Sequence, residues 1–299
     1  MLLCEPNICE GRDEGRIDRF VGAVIETPGI EFLHRSSDPD HHRTVLAYRG
    51  DCESVLKATT SLATSVFAEI DLRDHRGEHP RVGALDVVPF VRSAETTEDQ
   101  ALEVCHQFGA SVGQMGVPVF YYERAATSDK RVALPRIRAG EFEGLPDKLA
   151  DLEWKPDTGP ARGHHACGVC VAGIRNPLVR FNVNLDTKDQ APAKEIASRI
   201  RESGGGLPHL RALGIGLSRR GLTQVSMNLT RYYTTGIGVV FERVSKEAEA
   251  LGINIVGSEL IGPVPASALK GLDLGVLKVK LLEDQILDLD AYDSSETSK

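Results

Sequence analysis

The chain has 299 residues, 41% of them apolar and 26% charged, and a formal net charge of −8. This composition suits a globular protein with one large or two smaller domains. It argues against nucleic-acid binding through a broad basic face, which needs clustered Lys and Arg, and no run of about 18 apolar residues exists to form a membrane-spanning helix.

In chain order, residues 1–4 are apolar and stop before Pro6, which predicts a short first strand. Residues 13–27 predict a helix whose buried face carries Ile17, Phe20, Val21, Val24 and Ile25 at helical spacing, ended by Pro28-Gly29. Strands are expected at 30–33 and 44–48, a second helix at 54–70, and a β-branched strand at 83–90. Thr97-x-x-Gln100 is a capping-box pattern opening a helix to about residue 116, followed by a strand at 117–122. The order β-α-β-β-α-β-α-β favours a mixed sheet with helices on one side. Residues 124–168 are rich in Pro and Gly and predict a long irregular connector with short helical pieces, a kind of segment that often carries function.

A second set of elements follows. Strands are expected at 169–174 and 178–185, and a helix at 192–203 with Pro192 in its first turn. A hairpin is expected from 213–217 to 223–229, then a helix at 237–251 stopped by Gly252, a strand at 253–256 and a short helix at 265–271. The fold class is therefore α/β of the α+β type, with one subdomain at 1–176 and another at 177–299. The acidic tail from residue 283 is expected to fray.

Four segments hold candidate chemistry. HRGEHPRVGALDVVPF (75–90) places two histidines and a Glu just before a strand. Histidine titrates near neutral pH and suits proton transfer, and Pro80 restricts the backbone of His79 to extended conformations. The same residues also describe a surface turn that happens to hold histidines. Asn7 and Glu10 follow the first strand, where open α/β sheets often gather ligands, although Asn also suits a plain turn. His41-His42-Arg43-Thr44, preceded by Asp38 and Asp40, reads either as a carboxylate- or metal-positioning segment or as a charged loop entering a strand. HHACGVC (164–170) resembles half of a zinc site but lacks a second ligand pair, so no metal is expected and Cys170 reads as a small apolar residue. Six cysteines are too few for a disulfide scaffold. The N-terminus does not read as a signal peptide, and a cytoplasmic location with reduced thiols is expected.

The segment at 75–90 resembles the formiminotransferase family, and the likeness extends along the chain. EPNICEG (5–11) is similar to the family's VPNFSEG, and LPRIRAGEFEGL (134–145) to its LPxIRxGEYEGL. FNVNL (181–185), LTQVSMNL (222–229) and GSELIGPVP (257–265) follow in the expected order. The resemblance implies two α/β subdomains, each a mixed sheet with helices on its outer face, the sheets packed together with the substrate passage between them. It also implies a homodimer that moves a formimino group from N-formiminoglutamate to N5 of tetrahydrofolate.

The family's catalytic histidine falls on His79. Its folate-contacting stretch falls on Gly159, Pro160, Ala161, Arg162, Gly163, His164, His165, Ala166, Cys167 and Gly168. Within that resemblance Asn7 and Glu259 are candidates for orienting the amidine and the pterin, Glu10 is a candidate substrate- or folate-binding residue, and Arg43 and Arg175 are candidates for binding carboxylates, since a guanidinium binds them bidentately. Tetrahydrofolate is expected as a substrate beside a small amino acid, with no metal, nucleic acid or membrane partner.

The chain also departs from the family. Where the family shows LLDxDxDxxxNRT this chain reads FLHRSSDPDHHRT, so His34 and Ser36 replace acids and His42 replaces Asn; Glu5 stands for Val. These changes leave open a transferase using formyl or formimino groups on another amino compound, and a noncatalytic folate-binding paralogue.

Overall fold

A computed structural model of the chain describes residues 1–288 and 292, so most of the acidic tail expected to fray lies outside the described residues. The chain divides into two compact units, meeting in sequence at Arg175 and Asn176.

The first unit is built on a seven-stranded sheet. Its elements are β1 (Leu2–Cys4), β2 (Asn7–Ile8), α1 (Glu14–Ile25), β3 (Glu31–Asp38), β4 (Arg43–Gly50), α2 (Cys52–Glu69), β5 (Leu85–Arg92), α3 (Glu98–Gln114), β6 (Val119–Glu123), the short helices α4 (Asp129–Val132), α5 (Leu134–Arg138) and α6 (Leu145–Ala150), and β7 (Cys170–Ile174). β1 and β2 each pair with both β4 and β5, so together they form one interrupted strand between them. The interruption falls at Pro6, which has no N–H for the ladder but still accepts from the Leu46 amide at 3.1 Å. β5, β7 and β6 run parallel, and the remaining pairs are antiparallel. Cys170–Ile174, grouped by sequence with the second set of elements, thus belongs to the first sheet.

Strand alternation divides the side chains between two cores. Ala172, Ile174, Val119 and Tyr121 face α1, α2 and α3 in one cluster. Val171, Phe120 and Tyr122 face the opposite way, against Ile137 and Leu145 of the connector. The irregular segment at 124–168 is therefore a cover over the second face of the sheet, and helices are not confined to one side. On α1, Ile17, Phe20 and Val24 are buried as the spacing predicts, but Ile25 in the last turn is 54% exposed.

The second unit holds β8 (Val179–Leu185), α7 (Gln190–Ile200), β9 (Leu210–Leu217), β10 (Leu222–Leu229), α8 (Ile237–Ala250), β11 (Ile255–Ile261), and a small parallel pair of β12 (Val264–Pro265) and β13 (Ile286–Leu287). Its four-stranded sheet has the order β11-β8-β10-β9, and its pairings are antiparallel rather than mixed. Phe181, Val183, Val225 and Met227 pack on Ile196, Val240 and Val244 of α7 and α8. The alternate residues Asn182, Asn184, Gln224 and Glu259 form hydrogen bonds with one another or with the sheet backbone, as follows from the twofold strand period.

Helix α3 begins with the capping box read from sequence. The Gln100 amide donates to Thr97 Oγ1 at 3.2 Å and the Thr97 amide to Gln100 Oε1 at 2.9 Å. Thr97→Ala is expected to lower unfolding free energy by about 1 kcal/mol, read as a lower urea midpoint with an unchanged denaturant slope.

Candidate active site

The loop from 75 to 84 lies between α2 and β5, and three separate parts of the first unit hold it. The first is a buried carboxylate. Asp86 is 0% exposed, and its Oδ1 accepts from the amides of Val82 (2.8 Å) and Gly83 (3.2 Å), which bends the end of the loop. Its Oδ2 accepts from Arg43 Nη2 of β4 at 2.9 Å and from Arg138 of α5. Burial opposes ionisation of Asp86, but Arg138, Arg43 and the Val82 amide outweigh it and pull the carboxyl below its ordinary range.

The second hold is the connector. Arg81 makes a two-point pair with Glu143 at 2.7 and 2.8 Å, and the Phe142 amide donates to the Arg81 carbonyl at 2.9 Å. Gly83 and Gly168 form a bridge in which a Cβ on Gly168 would lie 2.1 Å from the Val82 carbonyl oxygen, and Gly168 itself has φ +68°. Only glycine allows that approach.

The third hold is the turn between β3 and β4. His75 Nε2–H donates to the His42 carbonyl at 3.0 Å, the two rings stack at 4.3 Å, and the Glu78 amide donates to the Asp40 carbonyl at 3.1 Å. His42 sits at φ +51°, in the left-handed region that Asn, Asp and His tolerate best. Its Nδ1 accepts from the Gly11 amide at 3.1 Å. Burial, then the neighbouring His75, push the His42 imidazole down to about 4, against the pull of Glu10.

His79 is thereby presented on a fixed loop. Its Nδ1 lies 2.9 Å from the Pro80 carbonyl, which can only accept, so Nδ1 carries the hydrogen. Nε2 is then an acceptor and makes no hydrogen bond to a described residue. His41 lies 5.7 Å away, ring to ring. Burial, then Arg43, Arg138 and His41, hold the His79 imidazole well below its ordinary value, with the Pro80 carbonyl opposing them. Near neutral pH the ring is uncharged and able to take a proton at Nε2. A cavity of about 650 Å³ lies beside this loop, lined among others by Arg12, Asp40, His75, Glu78, Arg81 and Glu141. That volume suits a small-molecule ligand. His79 is flanked in sequence by these residues but does not itself line the cavity.

The other expected site residues fall in several places. Asn7 is on β2, its side-chain amide donating to the Glu5 carbonyl at 3.1 Å. Glu10 is 2% exposed, and its Oε1 accepts from the amides of Gly11, Arg12 and Asp13 while Oε2 accepts from Arg16. Burial disfavours its charge, but those amides, His42 and Arg16 hold its pKa below the usual range. Arg43 is engaged by Asp86 and by the Pro80 carbonyl, and Arg175 by the buried carboxylate of Glu5. Gly159, Pro160, Ala161 and Arg162 are exposed, and Gly159, at φ +85°, lies against the end of α3. His164, His165, Ala166, Cys167 and Gly168 make a closed turn: the amides of Ala166 and Cys167 donate to His164 Nδ1, and His164 and Gly168 exchange backbone hydrogen bonds.

In the second unit, Glu259 accepts from Asn184 (2.9 Å), Gln224 (3.1 Å) and Arg220. Sequence analysis passed over Asp86 and Arg138. The available signal was an acid inside the apolar run GALDVVPF, since a carboxylate at a core position requires a partner.

Cys167 and Cys170 are both buried in the helix-facing core of the first unit, because Cys167 precedes the strand and escapes its alternation. Burial pushes the Cys167 thiol up to about 11 and the Cys170 thiol well above its ordinary value. Among the described residues no group of three or more His, Cys, Asp or Glu is arranged to hold a metal ion.

Residues 1–175 match the sequence profile described as the formiminotransferase domain, N-terminal subdomain, and residues 180–275 match that of the formiminotransferase domain. The chain belongs to the formiminotransferase family. It is 41% identical over 270 residues to a glutamate formimidoyltransferase of Streptococcus pyogenes serotype M1, with 90% of each chain covered. It is 37% identical over 272 residues to a glutamate formimidoyltransferase of Thermoplasma acidophilum, covering 90% of this chain and 89% of that one. It is 41% identical over 277 residues to a formimidoyltransferase-cyclodeaminase of Sus scrofa, where the match spans 90% of this chain but 51% of the relative.

The neutral state of His42 has a pH signature. Its folded pKa of about 4 lies below the unfolded value near 6.5. The unfolded chain therefore takes up the proton first, and stability present above pH 6.5 is lost as the pH falls toward 4. His42→Asn, which keeps a side chain tolerant of positive φ, is expected to make that decline shallower. Urea unfolding at pH 4, 5, 6 and 7 measures it, and a parent-like slope would show that His42 does not carry this term.

Proposed function

We propose that this chain transfers the formimino group of N-formiminoglutamate to N5 of tetrahydrofolate, with His79 exchanging the protons. The observation that carries the reading is the contact of His79 Nδ1 with the Pro80 carbonyl at 2.9 Å. Nδ1–H is committed to the Pro80 carbonyl, which leaves the Nε2 lone pair for a substrate. Attack of N5 on the formimino carbon gives a tetrahedral carbon bearing two nitrogens. N5 must then lose a proton and the glutamate nitrogen must gain one before it departs. A single imidazole serves both transfers, first as base and then as acid. A weakly basic ring releases the proton again easily, which suits a relay.

Tetrahydrofolate enters this scheme as a substrate and the amino-acid donor as the second. Glu259 is kept as a candidate for the pterin, although Asn184, Gln224 and Arg220 already donate to its carboxylate. The exposed stretch 160–162 remains a candidate for the folate tail. Arg43 and Arg175 already hold protein carboxylates, so they are weaker candidates for those of a substrate than the cavity's Arg12. The departures at His34 and Ser36 pair with each other at 2.8 Å and do not line the cavity, which favours the usual donor over a different amino compound. The same reading includes a homodimer working in the cytoplasm. Among the described residues no helix is long and apolar enough to cross a membrane.

His79→Ala is expected to lower turnover with N-formiminoglutamate and tetrahydrofolate by about 10²–10⁴-fold, with KM for both substrates and the thermal midpoint little changed. Full turnover in that variant would remove His79 from the mechanism. A parent enzyme inert toward N-formiminoglutamate but active with a formylated folate would select the alternative donor.

A further inference from the structure

The Pro80 carbonyl receives two donors. One is His79 Nδ1–H at 2.9 Å and the other is Arg43 Nη2 at 3.0 Å. Arg43 is 6% exposed, and its remaining nitrogens Nε and Nη1 make no hydrogen bond among the described residues. One nitrogen, Nη2, therefore meets both the carbonyl that orients the catalytic ring and the Asp86 carboxylate.

This arrangement differs physically from a histidine backed by an acid. A carboxylate behind Nδ1 would stabilise the imidazolium. Here the acceptor is a neutral oxygen that already faces a guanidinium. It retains enough basicity to hold Nδ1–H, but the cation behind it opposes a second positive charge on the ring. The other charged or titratable groups facing the ring are Arg138 from α5 and His41 from the turn before β4, with Asp86 of β5 held between the two guanidiniums. Two guanidiniums and one carboxylate leave a net charge of one positive unit in this buried cluster.

We propose that Arg43 is a positioning residue for His79, acting through the shared Pro80 carbonyl to fix the Nδ1–H tautomer and to stop the ring from retaining a proton at Nε2. The proton taken from the attacking nitrogen is thus passed on to the leaving one. No bond beyond those of the transfer itself is made or broken. This inference rests on His79 being the proton-exchanging group and adds the residue that sets how it behaves. Arg138 supplies a similar field without touching the carbonyl, so the two arginines separate a field effect from an effect of the shared oxygen.

Histidine imidazole nitrogen shifts of ¹⁵N-labelled protein, followed against pH beside kcat/KM, test the proposal. In Arg43→Met the titration midpoint of His79 is expected to rise by about one unit. The acid limb of kcat/KM should move to higher pH by the same amount, and the Nδ1–H tautomer should lose population. In Arg138→Met the midpoint is expected to rise while the tautomer stays. Arg43→Met combined with Asp86→Asn keeps the net charge of the cluster and spares a half-paired carboxylate. If Arg43→Met alone does not fold, this pair carries the expectation for the tautomer, while its unchanged net charge leaves the midpoint near that of the parent. A folded Arg43→Met with parent-like midpoint, limb and tautomer, or a folded double variant with a parent-like tautomer, would show Arg43 to be structural only. His79→Asn separates the two levels. Retained turnover there sinks the reading of His79 itself, whereas lost turnover with an unmoved Arg43 variant sinks only this proposal.

Discussion

Asp86 is the point on which the first unit's functional loop depends. A carboxylate taken wholly out of water costs several kcal/mol unless charge and hydrogen bonds replace its hydration. Here two amides of its own loop and two guanidiniums do so. The four donors come from the 75–84 loop, from β4 and from α5, so ionising one acid brings together three segments far apart in sequence. Removing any partner would leave a buried charge incompletely met, which is why the loop has one arrangement rather than several. The same constraint decides the electrostatics. One acid cannot neutralise two arginines, and the excess positive charge falls beside His79.

Much of the fold was legible because its signals are local. The helix faces follow from spacing, the capping box of α3 from two residues, and the β9–β10 hairpin from the turn between two apolar runs. The boundary expected at 176 leaves Cys170–Ile174 with the first subdomain, but its slot between β5 and β6 was not legible, because a parallel strand pairs with partners some fifty to eighty residues earlier and carries no mark of which neighbours it joins. Nor was the role of residues 124–168. Their Pro and Gly content describes an irregular path, yet Ile137 and Leu145 close the far face of the sheet and Arg138 and Glu143 reach into the site.

The site was legible in part. The segment at 75–90 stood out by residue type and by its likeness to a family, and the structure holds His79 Nδ1 there 2.9 Å from the Pro80 carbonyl. Isolated charges are harder to read. Glu10, Arg43 and Arg175 look like ligand-binding groups in a sequence, but each is met by groups of the protein itself. A charge's partner depends on three-dimensional neighbours that spacing along the chain does not encode. The backbone is compatible with either residue at position 42, since both Asn and His tolerate the positive φ required there.

The cysteines have a consequence of their own. Five of the six are buried, and four of these, Cys4, Cys9, Cys105 and Cys170, are packed among apolar side chains or the arginine cluster, where burial raises each thiol well out of the range where a thiolate forms. In the folded chain these sulfurs are chemically silent. An alkylating reagent would therefore react with them only in molecules that have opened, and the rate of labelling at each position becomes a clock for how often that part of the core breathes.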